Sequence, residues 1–392
     1  MDVKFWINIY IIVVLLLMGC SADQDTYDEA LQTEHMPVLF SAGNTEATVT
    51  RTAASYMPKN SRFVCSMFFH AGVSDTNDSE FGTPKSDVNM TTAWLKISNS
   101  TGNAVYWNKA YSEVVKDSLD VYGFDVNSKC FYWQNRLNHI FLALTDNNDL
   151  DGSISNGSLK IYPDVTDKYK DKYMLAYDLT RGQKTSMSEQ PDPILALETA
   201  RPSGGTPEAN RVKLFFKHQF AQIQVNLKSS LDASAVIDSS WIERVELLGV
   251  AETGYVPYCI LSDGTLPAAT SLPINVDDKK YQTTIKDNPY GSSFNMFQRS
   301  TPVGGYLKSF ECIAFGTLQG IRITWRESDD ENAVKHVATY KGVKNLALKS
   351  GTKYIYNMEL RRSLIAEVTA NIKPWEMDKA SYTADGTIKD EN

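Results

Sequence analysis

Residues 221–227 read Ala-Gln-Ile-Gln-Val-Asn-Leu, and residues 321–326 read Ile-Arg-Ile-Thr-Trp-Arg. Alternation of apolar and polar side chains has the period of a strand with one covered face, and it does not fit a helix. Both stretches are therefore expected to be half-buried strands of antiparallel sheets. Residues 63–69 (FVCSMFF) and 139–145 (HIFLALT) are apolar along strand-length runs, as expected where both faces are covered.

Aromatic residues make up 11% of the chain, and Gly, Pro, Asn, Asp and Ser recur at short intervals, a mixture that favours strands and turns. Helical periodicity is scarce. Residues 230–247 carry a marginal helical pattern, but Ser and Asp recur in it and favour caps and turns. The expected fold is an all-β sandwich or barrel with one or two short helices at most.

The chain is too long for one small sandwich and suits two domains. Residues 199–211 (TARPSGGTPEANR) mark the boundary, because Pro202, Gly204, Gly205 and Pro207 interrupt any ladder. Domains are expected at 37–205 and 206–392.

The N-terminus adds a lone Lys4, an apolar run over residues 5–19, and Cys20. The run is short for a membrane span and reads as a signal peptide, residues 1–19; the alternative is an uncleaved anchor. Leu17, Met18, Gly19 and Cys20 resemble a lipobox, with Met18 where Ala or Ser is usual, and make Cys20 the expected lipidation site. Asp23, Asp25, Asp28, Glu29 and Glu34 follow among almost no apolar residues, so residues 20–36 read as a solvated tether. An acidic tract directly behind the lipid cysteine also resembles the surface-export signal of lipoproteins, which implies an outer-membrane lipoprotein at the cell surface; the alternative is a plain spacer. A net charge of −8 spread along the chain argues against nucleic acid or an anionic bilayer as partner.

Catalytic signatures are not found: no GxSxG, no HExxH, and no Cys/His couple. The five histidines, His35, His70, His139, His218 and His336, have no ligand spacing. Cys65, Cys130, Cys259 and Cys312 allow three pairings, yet their apolar settings favour buried thiols. Asn147, Asp149, Asp151 and Gly152 place oxygen ligands as a calcium loop does, but Asn holds the first position and Ser158 the twelfth, so an ordinary acidic turn is the competing reading. No cofactor is expected. The chain does not read as an enzyme.

Four segments resemble the fimbrillin-like family of Bacteroidales. They are VTRTAAS near the start, CFYWQNRLNHIFLAL, VKLFFKHQFAQIQVNL with its Phe, His and small residue, and LKSGTKYIYNMEL followed by the closing Ile372-Lys373-Pro374-Trp375. The resemblance spans roughly residues 36–380. It implies two tandem transthyretin-like antiparallel β-sandwich domains, a lipidated precursor, and a subunit, anchor or tip adhesin of type V pili. It also implies that a trypsin-like protease cuts after an arginine, frees the first strand, and leaves a groove filled by a strand of another subunit. Arg51 holds the matching position, with Arg62 as a second candidate; the competing reading makes Arg51 a solvent-facing strand residue. The C-terminal strand of Ala366, Val368, Ala370 and Ile372 is a possible donor.

Implied partners are other fimbrial subunits, the outer membrane through the lipid, and a host protein or glycan, with the cell surface or a fimbrium as the implied location. Asp117, Ser118 and Leu119 also resemble an O-glycosylation triplet. The alternative function is a surface glycan-binding lipoprotein, with Trp94, Trp107 and Trp133 as stacking candidates.

Overall fold

The computed structural model describes residues 36–43, 56–70, 88–106, 130–148, 160–163, 173–179, 187–203, 205–231, 236–260, 293–330, 332–343, 345–361 and 364–375. Their strands in chain order are β1 (Phe40–Gly43), β2 (Arg62–His70), β3 (Val88–Ile97), β4 (Asn103–Tyr106), β5 (His139–Asp146), β6 (Lys160–Pro163), β7 (Tyr173–Asp178), β8 (Pro193–Ala200), β9 (Val212–Phe215) and β10 (Lys217–His218). There follow β11 (Ala221–Ser229), β12 (Ile242–Ala251), β13 (Thr253–Tyr258), β14 (Ser293–Asn295), β15 (Phe297–Gln298), β16 (Lys308–Arg326), β17 (Lys335–Tyr340), β18 (Leu346–Ala347), β19 (Thr352–Arg361) and β20 (Leu364–Pro374). The fold is all-β. The only helices among the described residues are single 3-10 turns at Met187–Glu189 and Ser239–Trp241. Asp238 caps the second turn by accepting the Ser240 N–H at 2.8 Å, and the marginal helical pattern resolves into this turn and β12.

The first sheet has the order β10-β8-β5-β2-β3-β4-β1-β9. Only Phe216 separates β9 from β10, so one continuous segment supplies both ends of that order, pairing with β1 at one end and with β8 at the other. Inward side chains form a core of Val38, Phe40, Phe63, Cys65, Leu95, Phe131, Trp133, Phe141 and Leu214. The opposite face of the same strands, Val64, Ile140, Leu142 and Leu144, joins a second core with Ile223, Val245, Ile323 and Tyr354. Both faces of residues 63–69 and 139–145 are thus covered, which is why those runs lack polar interruptions.

The second sheet runs β14-β12-β16-β11-β19-β20, with β15, β17 and β18 also on β16. β16 pairs with β11 over its first half and with β12 over its second. Gly316 stands where it changes partner, at φ +91, and an added Cβ would meet the Ala251 N at 3.2 Å. Among the described residues two pairings are parallel, β1 with β9 and β11 with β19.

β11 departs from the half-buried expectation. Gln222, Gln224 and Asn226 are buried along with Ala221, Ile223, Val225 and Leu227, because β11 is central and has neighbours on both edges. Its amides satisfy each other: Gln224 Nε2 donates to Asn226 Oδ1 at 3.0 Å, and Asn226 Nδ2 to Asn357 Oδ1 at 2.8 Å. The alternation at 321–326 fits better. Ile321, Ile323 and Trp325 are buried, while Arg322 and Arg326 are half-buried and paired with Glu246 and Glu243; Thr324, expected on the open face with them, is buried.

A three-stranded sheet, β13-β7-β6, ties the two halves together. Gln190 also bridges them, donating to the Leu179 carbonyl at 3.2 Å and accepting the Ile313 N–H at 3.0 Å. The 205/206 division falls in the connection between β8 and β9, and β9 and β10, on its C-terminal side, complete the first sheet. That connection has almost no apolar surface but is not loose. Asn210 is buried, accepts the Ser203 N–H at 2.7 Å and donates to the Thr206 carbonyl at 2.9 Å.

Candidate functional site: a strand seated between β4 and β9

Burial alternates along residues 36–40, and Phe40–Gly43 are buried throughout. Met36, Val38, Phe40 and Ala42 are all buried and point into the first core. Phe40 is ringed by Tyr106, Phe131 and Phe141, with centroids at 6.3, 6.0 and 5.4 Å and edge-to-face planes. Each large buried side chain of this strand contributes about 1.5–3 kcal/mol in removal from water.

Its backbone is satisfied from both sides. The Val38 N–H donates to Phe131 O (2.9 Å), the Ala42 N–H to Gly102 O (2.9 Å), the Val212 N–H to Leu39 O (2.8 Å) and the Phe216 N–H to Gly43 O (3.0 Å). Tyr106 Oη donates to Val38 O at 2.7 Å and Arg211 Nη1 to Phe40 O at 3.1 Å. Burial drives the Tyr106 phenol far above its usual range, with the neighbouring Cys130 thiol adding to the effect. Taking β1 away would leave unpaired edges on β4 and β9 flanking an aromatic pocket.

Arg51 and Cys20 lie outside the described residues. The ends of the connection that holds Arg51 are joined: Gly43 bridges Tyr56, and the Met57 N–H donates to Ala42 O at 3.1 Å. Arg62, the second candidate, starts β2, pairs with Lys96, and its carbonyl accepts Thr145 Oγ1 at 2.7 Å. Cleavage there requires breaking a ladder.

The other candidates sort by burial. Trp94 and Trp133 are buried in the two cores and present no face to a sugar, and Trp107 lies outside the described residues. Of the calcium-like turn only Asn147 is described, and its amide donates to Asp192 Oδ2 at 3.0 Å; Asp149, Asp151, Gly152 and Ser158 lie outside, as do Asp117, Ser118 and Leu119. Among the described residues no group of His, Cys, Asp and Glu is arranged to hold a metal ion. Cys65, Cys259 and Cys312 are buried thiols and Cys130 is half-buried. His139 is buried against Trp133, its Nδ1–H donates to Leu137 O at 2.8 Å, and its Nε2 accepts the Gln134 N–H at 3.2 Å.

Two of the resembling segments meet at one place that spacing did not reveal. His218 of β10 is buried, donates from Nδ1 to the buried Asp192 Oδ1 at 2.9 Å, and stacks on Trp375 with centroids 3.7 Å apart and planes 7° from parallel. The Trp375 N–H donates to Gly351 O at 2.7 Å. Ahead of Trp375, β20 is, among the described residues, an edge strand paired only with β19; Val368 is half-buried and Ala370 and Ile372 are exposed, while a register shift falls at Ala366.

The sequence matches the fimbrillin-like family over residues 93–375, and the chain belongs to that family. It is thereby a fimbrial-type protein of the exported cell-surface class, structural and not enzymatic. No curated protein matches it. Among solved structures it is similar to a candidate cell adhesion protein of Bacteroides ovatus, at 13% identity and a TM-score of 0.48, covering 88% of this chain and 99% of that one. A fimbrial protein of Bacteroides vulgatus aligns at 11% identity and 0.42, over 86% of this chain and 99% of that one. The tip fimbrial protein Mfa3 of Porphyromonas gingivalis, with a C-terminal truncation, aligns at 10% identity and 0.41, over 87% and 99%.

Proposed function

We propose that the chain is a type V pilus-like subunit, anchor or tip adhesin built from two transthyretin-like sandwiches, exported as a lipoprotein on Cys20 and assembled by strand exchange. In this reading residues 1–19 are removed, lipid holds the precursor at the outer membrane, and a protease cuts after Arg51. β1 then leaves, and a strand from another subunit takes its place.

The single observation that carries the reading is the seating of residues 36–43 between β4 and β9, with Met36, Val38, Phe40 and Ala42 buried. The bridge between Gly43 and Tyr56 adds support, because a cut at Arg51 leaves β1 held by non-covalent contacts alone. A departing strand exposes apolar surface and unpaired backbone, which an incoming strand satisfies together.

The test is intact mass and N-terminal sequence of protein shaved from cells, with high-mass ladders sought in unheated detergent gels. A chain starting at Thr52 that forms ladders, both lost in Arg51→Ala, is the expected result. Surface protein starting at Cys20 overturns the processing step.

A further inference from the structure

We infer that the N-terminal strand and the C-terminal edge strand are coupled through residues 212–218, so that vacating the place of β1 loosens the anchoring of β20. This rests on the strand-release reading above and adds a regulatory consequence to it.

The segment pairs with β1 and reaches Trp375, the residue directly after β20, and is only seven residues long, about 20 Å when extended. Its first part pairs residue by residue with β1, Val212 with Phe40 through Phe215 with Gly43. Val212, Leu214 and Phe216 share the core that holds Phe40. Its last residue, His218, pairs with Ile194 and is fixed by Asp192 and by the stack on Trp375.

β20 has few other side-chain attachments. Residues 369–374 are exposed, Ile372 to 58%; among the described side chains of β20, Ile365 and Val368 pack partly on the core and Glu367 pairs with Lys228 at 3.7 Å before Trp375 is reached. Around Trp375 the backbone contacts lead to the two residues that directly follow the segment. Its N–H bonds to Gly351, the Gly351 N–H donates to Phe220 O at 2.9 Å, and Ser350 Oγ donates to Gln219 O at 2.6 Å. Without β1, residues 212–216 lose both a hydrogen-bonded neighbour and the apolar surface of Phe40. His218 follows two residues later, and a ring stack at 3.7 Å with near-parallel planes tolerates little displacement. The two states are Trp375 docked on His218 and Trp375 undocked, and both strands bias that equilibrium.

Hydrogen exchange on the uncut full-length chain tests the coupling. Phe40→Leu should speed exchange of β1 and also of β20 and the Trp375 amide by about tenfold, with β12 and β17 unchanged. Trp375→Leu should speed β20 and, reciprocally, β1. His218→Phe keeps a flat ring and should keep β20 protected, whereas His218→Ala should not. Acceleration of β1 alone in Phe40→Leu, or uniform acceleration that includes β12, overturns the coupling. Persistence of β1 after a cut at Arg51 counts instead against strand release, and is scored on a different sample.

Discussion

The hydroxyl of Tyr258, on β13, donates to the carbonyl of Leu142, on β5 of the first sheet, at 3.0 Å. It also lies 3.1 Å from Ser66 Oγ, which in turn is 2.8 Å from Thr92 Oγ1, so a strand from the second half is bonded into a buried polar chain of the first. Burial pushes the Tyr258 phenol far above its usual range, and it stays a donor at any working pH. Tyr258→Phe keeps the ring and removes the hydroxyl. A loss of about 1–2 kcal/mol is expected, read as a lower urea midpoint with unchanged slope.

Acid should weaken the fold through His139. Burial lowers its pKa from 6.5 to about 4, the hydrogen bond to Leu137 opposing only in part. The folded form therefore holds a neutral ring, whereas the unfolded chain takes up a proton as pH falls below 6.5. The stability held by the neutral ring is complete above pH 6.5 and is lost on the way down to about pH 4, by up to about 3 kcal/mol. Urea midpoints at steps from pH 7 to 4 should fall, and His139→Gln should flatten that slope. An equally steep fall in His139→Gln would assign the acid sensitivity elsewhere.

Much of this architecture was legible in residue order. The alternation at 321–326 and the unbroken runs at 63–69 and 139–145 report burial on one or two faces, which is local information. Asn226 was not legible, because its burial comes from the central place of β11 between β16 and β19, and long-range pairing sets that place. Trp133 suggested a stacking platform by residue type, yet it lies against His139 and Phe141 inside the core. The meeting of His218 with Trp375 depends on β10 pairing with β8 and on β20 ending beside Gly351, and no short pattern encodes it. Asp192, the partner of His218, carried no signal of its own.

Gly316 should resist substitution more than Gly305 does. Both have positive φ, +91 and +84, but an added Cβ at Gly316 would stand 3.2 Å from the Ala251 N and Cβ, while at Gly305 nothing lies within 4 Å. Gly305→Ala pays only the conformational cost of about 1 kcal/mol. Gly316→Ala adds crowding where β16 changes partner, and about 2–3 kcal/mol in total is expected from chemical denaturation. Equal costs at the two sites would mean that β16 and β12 separate freely at this point.

Phe40 and Ile372 sit on the two strands that the resemblance connects with exchange, and their side chains predict opposite energetics. Phe40 is fully buried within a ring of three aromatic side chains, so Phe40→Ala removes a large apolar group and leaves a cavity that close-packed neighbours fill only in part. A loss of about 3–5 kcal/mol is expected. Ile372 is 58% exposed on an edge strand, and Ile372→Ala should stay within about 0.5 kcal/mol. Urea titration of both variants measures the contrast directly. A groove that binds its resident strand this tightly will not stand empty, whereas an edge strand with so little buried surface is free to serve another purpose; comparable losses at the two positions would remove that asymmetry.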